Sequence, residues 1–165
     1  MSAITQGSQA PDFTLQDEQA QTMQLSQFHG KPVLLNFFNS TCPWCQTEMP
    51  RLAELYRRLN DDKEVDVAVI GIVVGQDTTQ SAAQFAADKQ LDFPMAVDAD
   101  GAVRTAYQLE RIPTLILVDG QGVVQRTFEG ASEQLAGIVE QTIMSAAAGY
   151  ELPDYNLIGN GCAPD

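Results

Sequence analysis

A Cys-Pro-Trp-Cys sequence that follows a short apolar run and a three-residue polar turn constrains this chain more than any other feature. The run Val33–Phe38 predicts a buried strand, and the pattern that begins at Pro43 predicts a helix. Cys42 and Cys45 are three residues apart, so a helix places them on one face, where two sulfurs can close and reopen a disulfide. Proline suits the first helical turn, because its missing N–H is not needed there.

The start of a helix also favours a thiolate on Cys42, because free N–H groups and the helix dipole stabilise negative charge. In such positions a cysteine pKa falls from about 8.5 to between about 3.5 and 7.5. The thiolate is the species that attacks a disulfide. The pattern therefore predicts a redox dithiol.

Two other interpretations of the cysteine pair remain open at this point. A zinc site needs four ligands at suitable spacing, and beyond the pair the chain offers only Cys162 and His29, which are far apart in sequence. Two inert buried thiols are the second alternative. The junction of a strand and a helix favours redox chemistry, so we expect no metal and no other cofactor.

Length and charge narrow the functional classes. A chain of 165 residues predicts one domain with enough sequence to bury a core. The net charge is −13, and the nine Lys and Arg are scattered, which argues against a surface for nucleic acid or anionic lipid. We see no run of about 18 apolar residues and no signal peptide, so the sequence itself predicts no membrane span.

The remaining patterns predict one α/β domain in the order β-β-β-α-β-α-β-α-β-β-α. Alternating apolar residues predict a hairpin over 11–25, followed by the strand Val33–Phe38 and further strands near 65–74, 93–97, 111–118 and 123–128. Helices are predicted near 43–59, 78–89, 103–107 and 132–148. This order indicates a central mixed sheet with helices on both faces. We assign 1–10 to an N-terminal arm, 11–148 to the domain and 149–165 to an irregular tail.

Together these residues resemble thioredoxin-fold proteins of the TlpA/ResA group, in the AhpC/TSA-Redoxin superfamily, which also includes the cytochrome c maturation protein CcmG. The resemblance covers roughly 8–148, and its most similar stretches are 10–15, 30–38, 48–50 and 112–114. The segment near 75–97 resembles the extra helix and strand that separate this group from plain thioredoxin. The resemblance implies a thioredoxin fold with an N-terminal hairpin and an inserted α-β segment.

The resemblance also implies roles for individual positions. Cys42 would be the nucleophile that forms a mixed disulfide with substrate, and Cys45 would be the buried resolving thiol. Glu48 would exchange a proton with Cys45 or shift its pKa, the alternative being an exposed helix carboxylate. Pro113 would be cis, which would leave the backbone of Ile112 free to pair with a substrate strand.

Two further positions are expected to matter near the cysteines. Asn36 stands where thioredoxins carry a buried aspartate, and a buried amide needs hydrogen-bond partners, which we expect beneath the cysteine loop. Trp44 stands where related proteins vary, at a position that tunes redox poise, and we expect it to contact substrate. Because Trp44 gives Cys42 no positive charge, we expect a reductant or isomerase rather than a strong oxidant.

The third cysteine, Cys162, has no counterpart in the resemblance. Three interpretations stay open: a stray thiol on a flexible tail, a disulfide with another chain, and a tail that folds back and exchanges with Cys42.

The favoured function is a thiol–disulfide oxidoreductase that acts on protein substrates, such as apocytochrome c or periplasmic partners, with electrons from another thiol protein. One alternative is a peroxiredoxin-like thiol peroxidase, but Thr41 does not have the threonine–cysteine spacing of that class. The other is a non-catalytic thioredoxin-like binding or chaperone module. The group works mainly outside the cytoplasm, commonly on a membrane anchor. The resemblance therefore implies a periplasmic or otherwise extracytoplasmic monomer, and it leaves an upstream anchor open.

Overall fold

A computed structural model describes residues 4–61, 65–153 and 159–165. The elements follow the chain in the predicted order, with one short 3-10 turn, Leu25–Phe28, added after the hairpin. The strands are β1 (Thr14–Gln16), β2 (Thr22–Gln24), β3 (Val33–Phe38), β4 (Ala68–Val73), β5 (Met95–Val97), β6 (Thr114–Val118) and β7 (Val124–Glu129). The helices are α1 (Pro43–Asp61), α2 (Thr79–Lys89), α3 (Ala102–Ala106) and α4 (Leu135–Ala147).

Five strands form one mixed sheet in the order β5-β4-β3-β6-β7, and β1 pairs with β2 in a separate hairpin. The central strand β3 runs parallel to β4 and antiparallel to β6. All six of its residues are buried, which explains why its sequence is apolar on both faces. The predicted α/β class, the hairpin and the inserted α2–β5 segment are confirmed.

Successive side chains of β3 point to opposite faces of the sheet, and both faces are covered. Phe38 packs against Phe85 of α2 and against Phe93, with ring centroids 5.9 and 6.2 Å apart. Phe37 packs against Tyr107, which follows α3, with centroids 5.2 Å apart. The helices therefore lie on both sides of β3, as the element order predicted.

Two details differ from the sequence patterns. The strand expected from residue 111 begins only at Thr114, because 111–113 form a separate loop that pairs elsewhere. Met144, an apolar residue within the helix predicted near 132–148, is 42% exposed. It lies nine residues after the buried Leu135, about 180° around α4.

The N-terminal arm is held at its inner end. The N–H of Gly7 donates to the carbonyl of Val124 at 2.8 Å, and the N–H of Ala10 donates to Gly122 at 2.8 Å. These bonds fix the arm beside the β6–β7 turn. Across the described ranges, no helix combines the length and the apolar character needed to cross a membrane.

Candidate redox site

The first cysteine lies where β3 ends and α1 begins. The carboxamide oxygen of the buried Asn39 accepts from the N–H groups of Cys42, at 3.0 Å, and Thr41, at 3.2 Å. Pro43 is the first residue of α1 and has no N–H to satisfy. The N–H of Gln46 donates to the Cys42 carbonyl at 3.0 Å, which starts the helical ladder. Asn39 and Pro43 thus fix the position of Cys42.

Cys42 is bonded to Cys162 and not to Cys45. The two residues are 120 positions apart in sequence, and their Cα atoms are 5.9 Å apart. Cys45 is a free thiol with no exposed surface. Of the three arrangements left open for Cys162, the structure has the tail folded back onto Cys42. Cys42 itself is only 3% exposed in this arrangement.

The loop before β6 lies directly beside this disulfide. The Ile112–Pro113 peptide bond is cis, which is the state that the resemblance implied. The N–H of Ile112 donates to the Cys162 carbonyl at 2.9 Å, and the N–H of Cys162 donates back to Ile112 at 2.9 Å. The Cys42 sulfur lies 3.8 Å from the Ile112 carbonyl oxygen. The backbone of Ile112 therefore holds an antiparallel strand across the reactive sulfur.

The environment of Cys45 opposes ionisation. Burial, with a smaller contribution from the Asp77 carboxylate, raises the pKa of its thiol to about 12, although a hydrogen bond with the Asn39 backbone acts in the opposite direction. Asp77 is held at the site by Ser40, whose N–H and hydroxyl both donate to it, at 2.7 and 2.5 Å. Cys45 is therefore a neutral thiol at physiological pH.

Asp77 was not among the residues predicted for the site, although the sequence carries a signal for it. Ser40 lies just after β3 and Asp77 lies between β4 and α2. Because β3 and β4 are parallel neighbours, the loops at their carboxyl ends meet at one edge of the sheet. A polar residue in the second loop could have been expected there.

Glu48 is buried one turn beyond Cys45 on α1. Its side chain is 2% exposed, Oε2 lies 3.9 Å from the Arg51 guanidinium, and Oε1 has no hydrogen-bond partner. Burial raises the pKa of the Glu48 carboxyl, and Arg51 offsets only part of this effect. Glu48 is therefore not the exposed helix carboxylate that was the alternative, and a proton-exchange role remains a prediction.

We expect Glu48→Gln to make folding less sensitive to pH. Because the folded-state pKa of Glu48 is raised above its ordinary value of 4.5, the wild type keeps its full stability below that value and loses some as the pH rises through the folded-state pKa. Glutamine does not titrate, so the variant should gain stability relative to wild type between pH 4 and pH 7. Urea unfolding at the two pH values measures this gain. The control is Glu54→Gln, an exposed position on the same helix, and an equal gain in both variants would contradict the prediction.

Asn36 joins the central sheet to α1. The Tyr56 hydroxyl donates to its Oδ1 at 2.6 Å, and its Nδ2 donates at 3.4 Å to the carbonyls of Leu34 and Ile70. All polar atoms of this buried amide are thus paired, and its partners belong to α1, β3 and β4.

Trp44 is 42% exposed beside the buried cysteines, where its ring is available to a molecule that approaches the site.

Within 4–61, 65–153 and 159–165, no group of three or more His, Cys, Asp and Glu side chains is arranged to hold a metal ion.

Comparison with known proteins agrees with this geometry. The AhpC/TSA family model matches residues 6–127. A thiol-disulfide oxidoreductase ResA from Geobacillus kaustophilus is 36% identical over 128 residues, which cover 78% of this chain and 71% of the relative. A solved Chlorobium tepidum structure, provisionally assigned as thiol:disulfide interchange protein DsbE, is 26% identical with a TM-score of 0.79, and the match covers 88% of this chain and 99% of that one.

A peroxidoxin, BcpB from Mycobacterium tuberculosis, is also similar in structure. Its TM-score is 0.72 at 21% identity, and the match covers 90% of this chain and 99% of the peroxidoxin. This likeness concerns the fold alone. The fold therefore does not distinguish thiol–disulfide exchange from peroxide reduction, and the distinction rests on the residues around Cys42.

Proposed function

We propose that this chain reduces or isomerises disulfides in protein substrates. It belongs to the AhpC/TSA family and, within it, to the ResA-like thiol–disulfide oxidoreductases of thioredoxin fold. One observation carries this proposal. The sulfur of Cys42 is in a disulfide with a strand that pairs with both backbone groups of Ile112. A mixed disulfide with an extended protein substrate needs the same arrangement.

The proposed reaction uses two thiols in sequence. The Cys42 thiolate attacks one sulfur of a substrate disulfide, and the first substrate thiolate leaves while the bound strand pairs with Ile112. Cys45 then loses its proton and attacks the Cys42 sulfur, so that the second substrate thiolate leaves and is protonated. The products are a substrate dithiol and a Cys42–Cys45 disulfide, which a partner protein with free thiols reduces again.

Three other residues support this sequence. We assign Glu48 as the group that accepts the Cys45 proton, since it is buried one helical turn from Cys45 and its raised pKa makes its carboxylate a stronger base than an ordinary glutamate. Trp44 gives substrates an apolar contact next to the disulfide. The cis state of Pro113 belongs to the loop that presents Ile112 to a substrate strand.

The direction of electron flow follows from the charges around the dithiol. An oxidant such as DsbA is strong because its reduced form is stabilised. Here burial and the Asp77 carboxylate both oppose a thiolate on Cys45, and Trp44 adds no positive charge. The protein therefore stabilises the reduced, dithiol form only weakly, which supports a reductant or isomerase rather than a strong oxidant.

We also propose an extracytoplasmic location, a redox partner protein and a monomeric state. The relatives named ResA and DsbE support the location by family. The net charge of −13 gives no support to nucleic acid as a partner.

Insulin reduction with dithiothreitol tests the proposed activity. We expect wild type to accelerate it and Cys42→Ser to lower the rate by at least about 100-fold, because the attacking sulfur is lost. Thr47→Ser, at an exposed position of the same helix, is the control and should retain the wild-type rate. Turnover of hydrogen peroxide without insulin reduction would instead support the peroxidase alternative, and activity with neither would support the binding module.

The reduction potential of the Cys42–Cys45 couple tests the direction. Cys162→Ser isolates this couple, and Trp44, the only tryptophan, reports its state by fluorescence in dithiothreitol or glutathione buffers. We expect a value near that of thioredoxin, about −270 mV, and a value near that of DsbA, about −120 mV, would reverse the proposed direction.

A further inference from the structure

We infer that Cys162 is a third redox-active cysteine and that residues 159–165 dock beside Pro113 as a substrate segment built into the chain. This inference rests on the proposed function, because it gives the tail the place of an external protein substrate. It concerns a residue that the family resemblance does not explain.

Backbone pairing seats the tail along two neighbouring loops. Cys162 exchanges two hydrogen bonds with Ile112. Two residues earlier, Asn160 exchanges two with Ala131, at 2.6 and 3.0 Å, and the N–H of Gly159 donates to Glu129 at 2.6 Å. Glu129 is the last residue of β7, and Ala131 lies just beyond it. The tail therefore extends the edge of the sheet towards Cys42. A cysteine on a loosely held tail would not need these bonds.

The fit depends on glycines that leave no room for a side chain. A Cβ on Gly161 would lie 2.7 Å from the Ile112 carbonyl oxygen. A Cβ on Gly159 would collide with the Ala131 carbonyl, and a Cβ on Gly130 would collide with Gly159. Contacts this short are not tolerated between real atoms. The tail and the loop after β7 therefore both have glycine where their backbones approach each other closely.

One side chain and the chain end add to the seat. The Arg111 guanidinium donates to the Gly159 carbonyl at 3.1 Å. Arg111 directly precedes Ile112, the loop residue that pairs with Cys162. Pro164 is buried although it is the second-last residue. Contacts therefore hold the tail on both sides of Cys162.

The chemistry is an exchange within one oxidation state. Starting from Cys42–Cys162, the Cys45 thiol loses a proton and attacks the Cys42 sulfur. The Cys42–Cys45 bond forms, the Cys42–Cys162 bond breaks, and Cys162 leaves as a thiolate that takes up a proton. No electrons enter or leave. The reverse step restores the docked tail, and the disulfide itself originates from a protein substrate through the proposed activity.

The docked form has a functional consequence for the oxidised protein. The tail leaves Cys42 only 3% exposed and occupies both backbone groups of Ile112, so an external thiol must first displace it. Cys45 is buried and almost entirely protonated at neutral pH, so it must pass its proton to a base, the role assigned to Glu48, before it displaces Cys162 from Cys42. The tail therefore selects partners that compete for the Ile112 strand position.

Disulfide mapping of the full chain tests this inference. Wild type equilibrated in glutathione buffers is quenched with acid, alkylated and digested for mass spectrometry. We expect Cys42–Cys162 to be present beside Cys42–Cys45, and only Cys42–Cys45 at every glutathione ratio would overturn the inference. In Cys45→Ser, we expect Cys42–Cys162 to exceed the Cys42–glutathione adduct at about 1 mM glutathione, because docking raises the effective concentration of Cys162.

Glycine variants in the Cys45→Ser background separate docking from mere proximity. Gly161→Ala should lower the ratio of Cys42–Cys162 to glutathione adduct at least about tenfold, because the added methyl group collides with Ile112. Gly137→Ala is the matched control, since a Cβ there meets nothing within 4 Å, and it should leave the ratio unchanged. An unchanged ratio in Gly161→Ala would overturn the docked strand. Disulfide mapping does not require catalytic turnover. If wild type failed to reduce insulin, the proposed function would be refuted, but the mapping would still test the docked tail.

Discussion

At pH 7 the Cys45 thiol is expected to be ionised in roughly one molecule in 100,000, because burial and Asp77 raise its pKa to about 12. An ordinary cysteine with a pKa of about 8.5 is ionised in about three molecules in 100 at the same pH. The structure thus predicts a loss of about three orders of magnitude in thiolate at the position that must attack Cys42.

The titration can be measured in a Cys42→Ser/Cys162→Ser double variant, which cannot exchange disulfides and in which Cys45 is the one cysteine left of the three in the sequence. The chemical shift of its β-carbon in protein with ¹³C-labelled cysteine should stay constant up to about pH 10 and change only towards the pKa of about 12. The same protein in urea is the control and should titrate near 8.5, as an ordinary cysteine does. A midpoint below 9 in the folded protein would contradict the prediction.

This ionisation penalty gives Glu48 a physical reason to be buried beside the dithiol. A thiol with so little thiolate needs a nearby base if it is to attack at a useful rate. Glu48 lies one helical turn from Cys45, its carboxyl has a raised pKa, and one of its oxygens has no partner. A second variant check follows: Glu48→Gln should slow resolution by Cys45 more than it slows the first attack by Cys42.

The sequence predicted the central part of the site because its signals are local. The apolar run of β3, the proline at the helix start and the cysteine spacing lie within 13 residues, from Val33 to Cys45. Each predicts an element by its own period or position. The cis loop and the burial of Cys45 were available only through the resemblance.

The tail could not be predicted in the same way. Gly159, Gly161 and Pro164 are typical of irregular segments, and a glycine that allows close backbone approach looks the same in sequence as one that allows flexibility. The partners of the tail, Ile112 and Ala131, lie far from it along the chain. Only the fold brings them together, so the pairing between Cys42 and Cys162 remained one of three alternatives.

Asn36→Asp is expected to produce the largest change in stability with pH. Asn36 has no exposed surface, and it lies in the central strand of the sheet. A carboxyl in this position would keep the Tyr56 hydrogen bond but would lose the two amide donors to backbone carbonyls. Fully buried carboxyls can have pKa values raised by 3–5 units, to about 8–9 in documented cases.

The sign of the effect follows from this raised pKa. Below about 3.9, the pKa of aspartate in the unfolded chain, both states are protonated and the variant keeps its full stability. As the pH rises, the unfolded state ionises first, so stability falls until the folded-state pKa is passed. A shift of about three units corresponds to about 4 kcal/mol lost between pH 4 and pH 8.

Urea unfolding at both pH values, followed by circular dichroism, measures this loss. Asn60→Asp is the matched control, because it makes the same change at an exposed position near the end of α1, and it should follow the wild type within about 0.5 kcal/mol. A profile for Asn36→Asp that runs parallel to wild type would show that water or a shifted partner solvates the new carboxylate. In that case the Tyr56–Asn36 contact would not be the dry link between α1 and the sheet that the hydrogen bonds indicate.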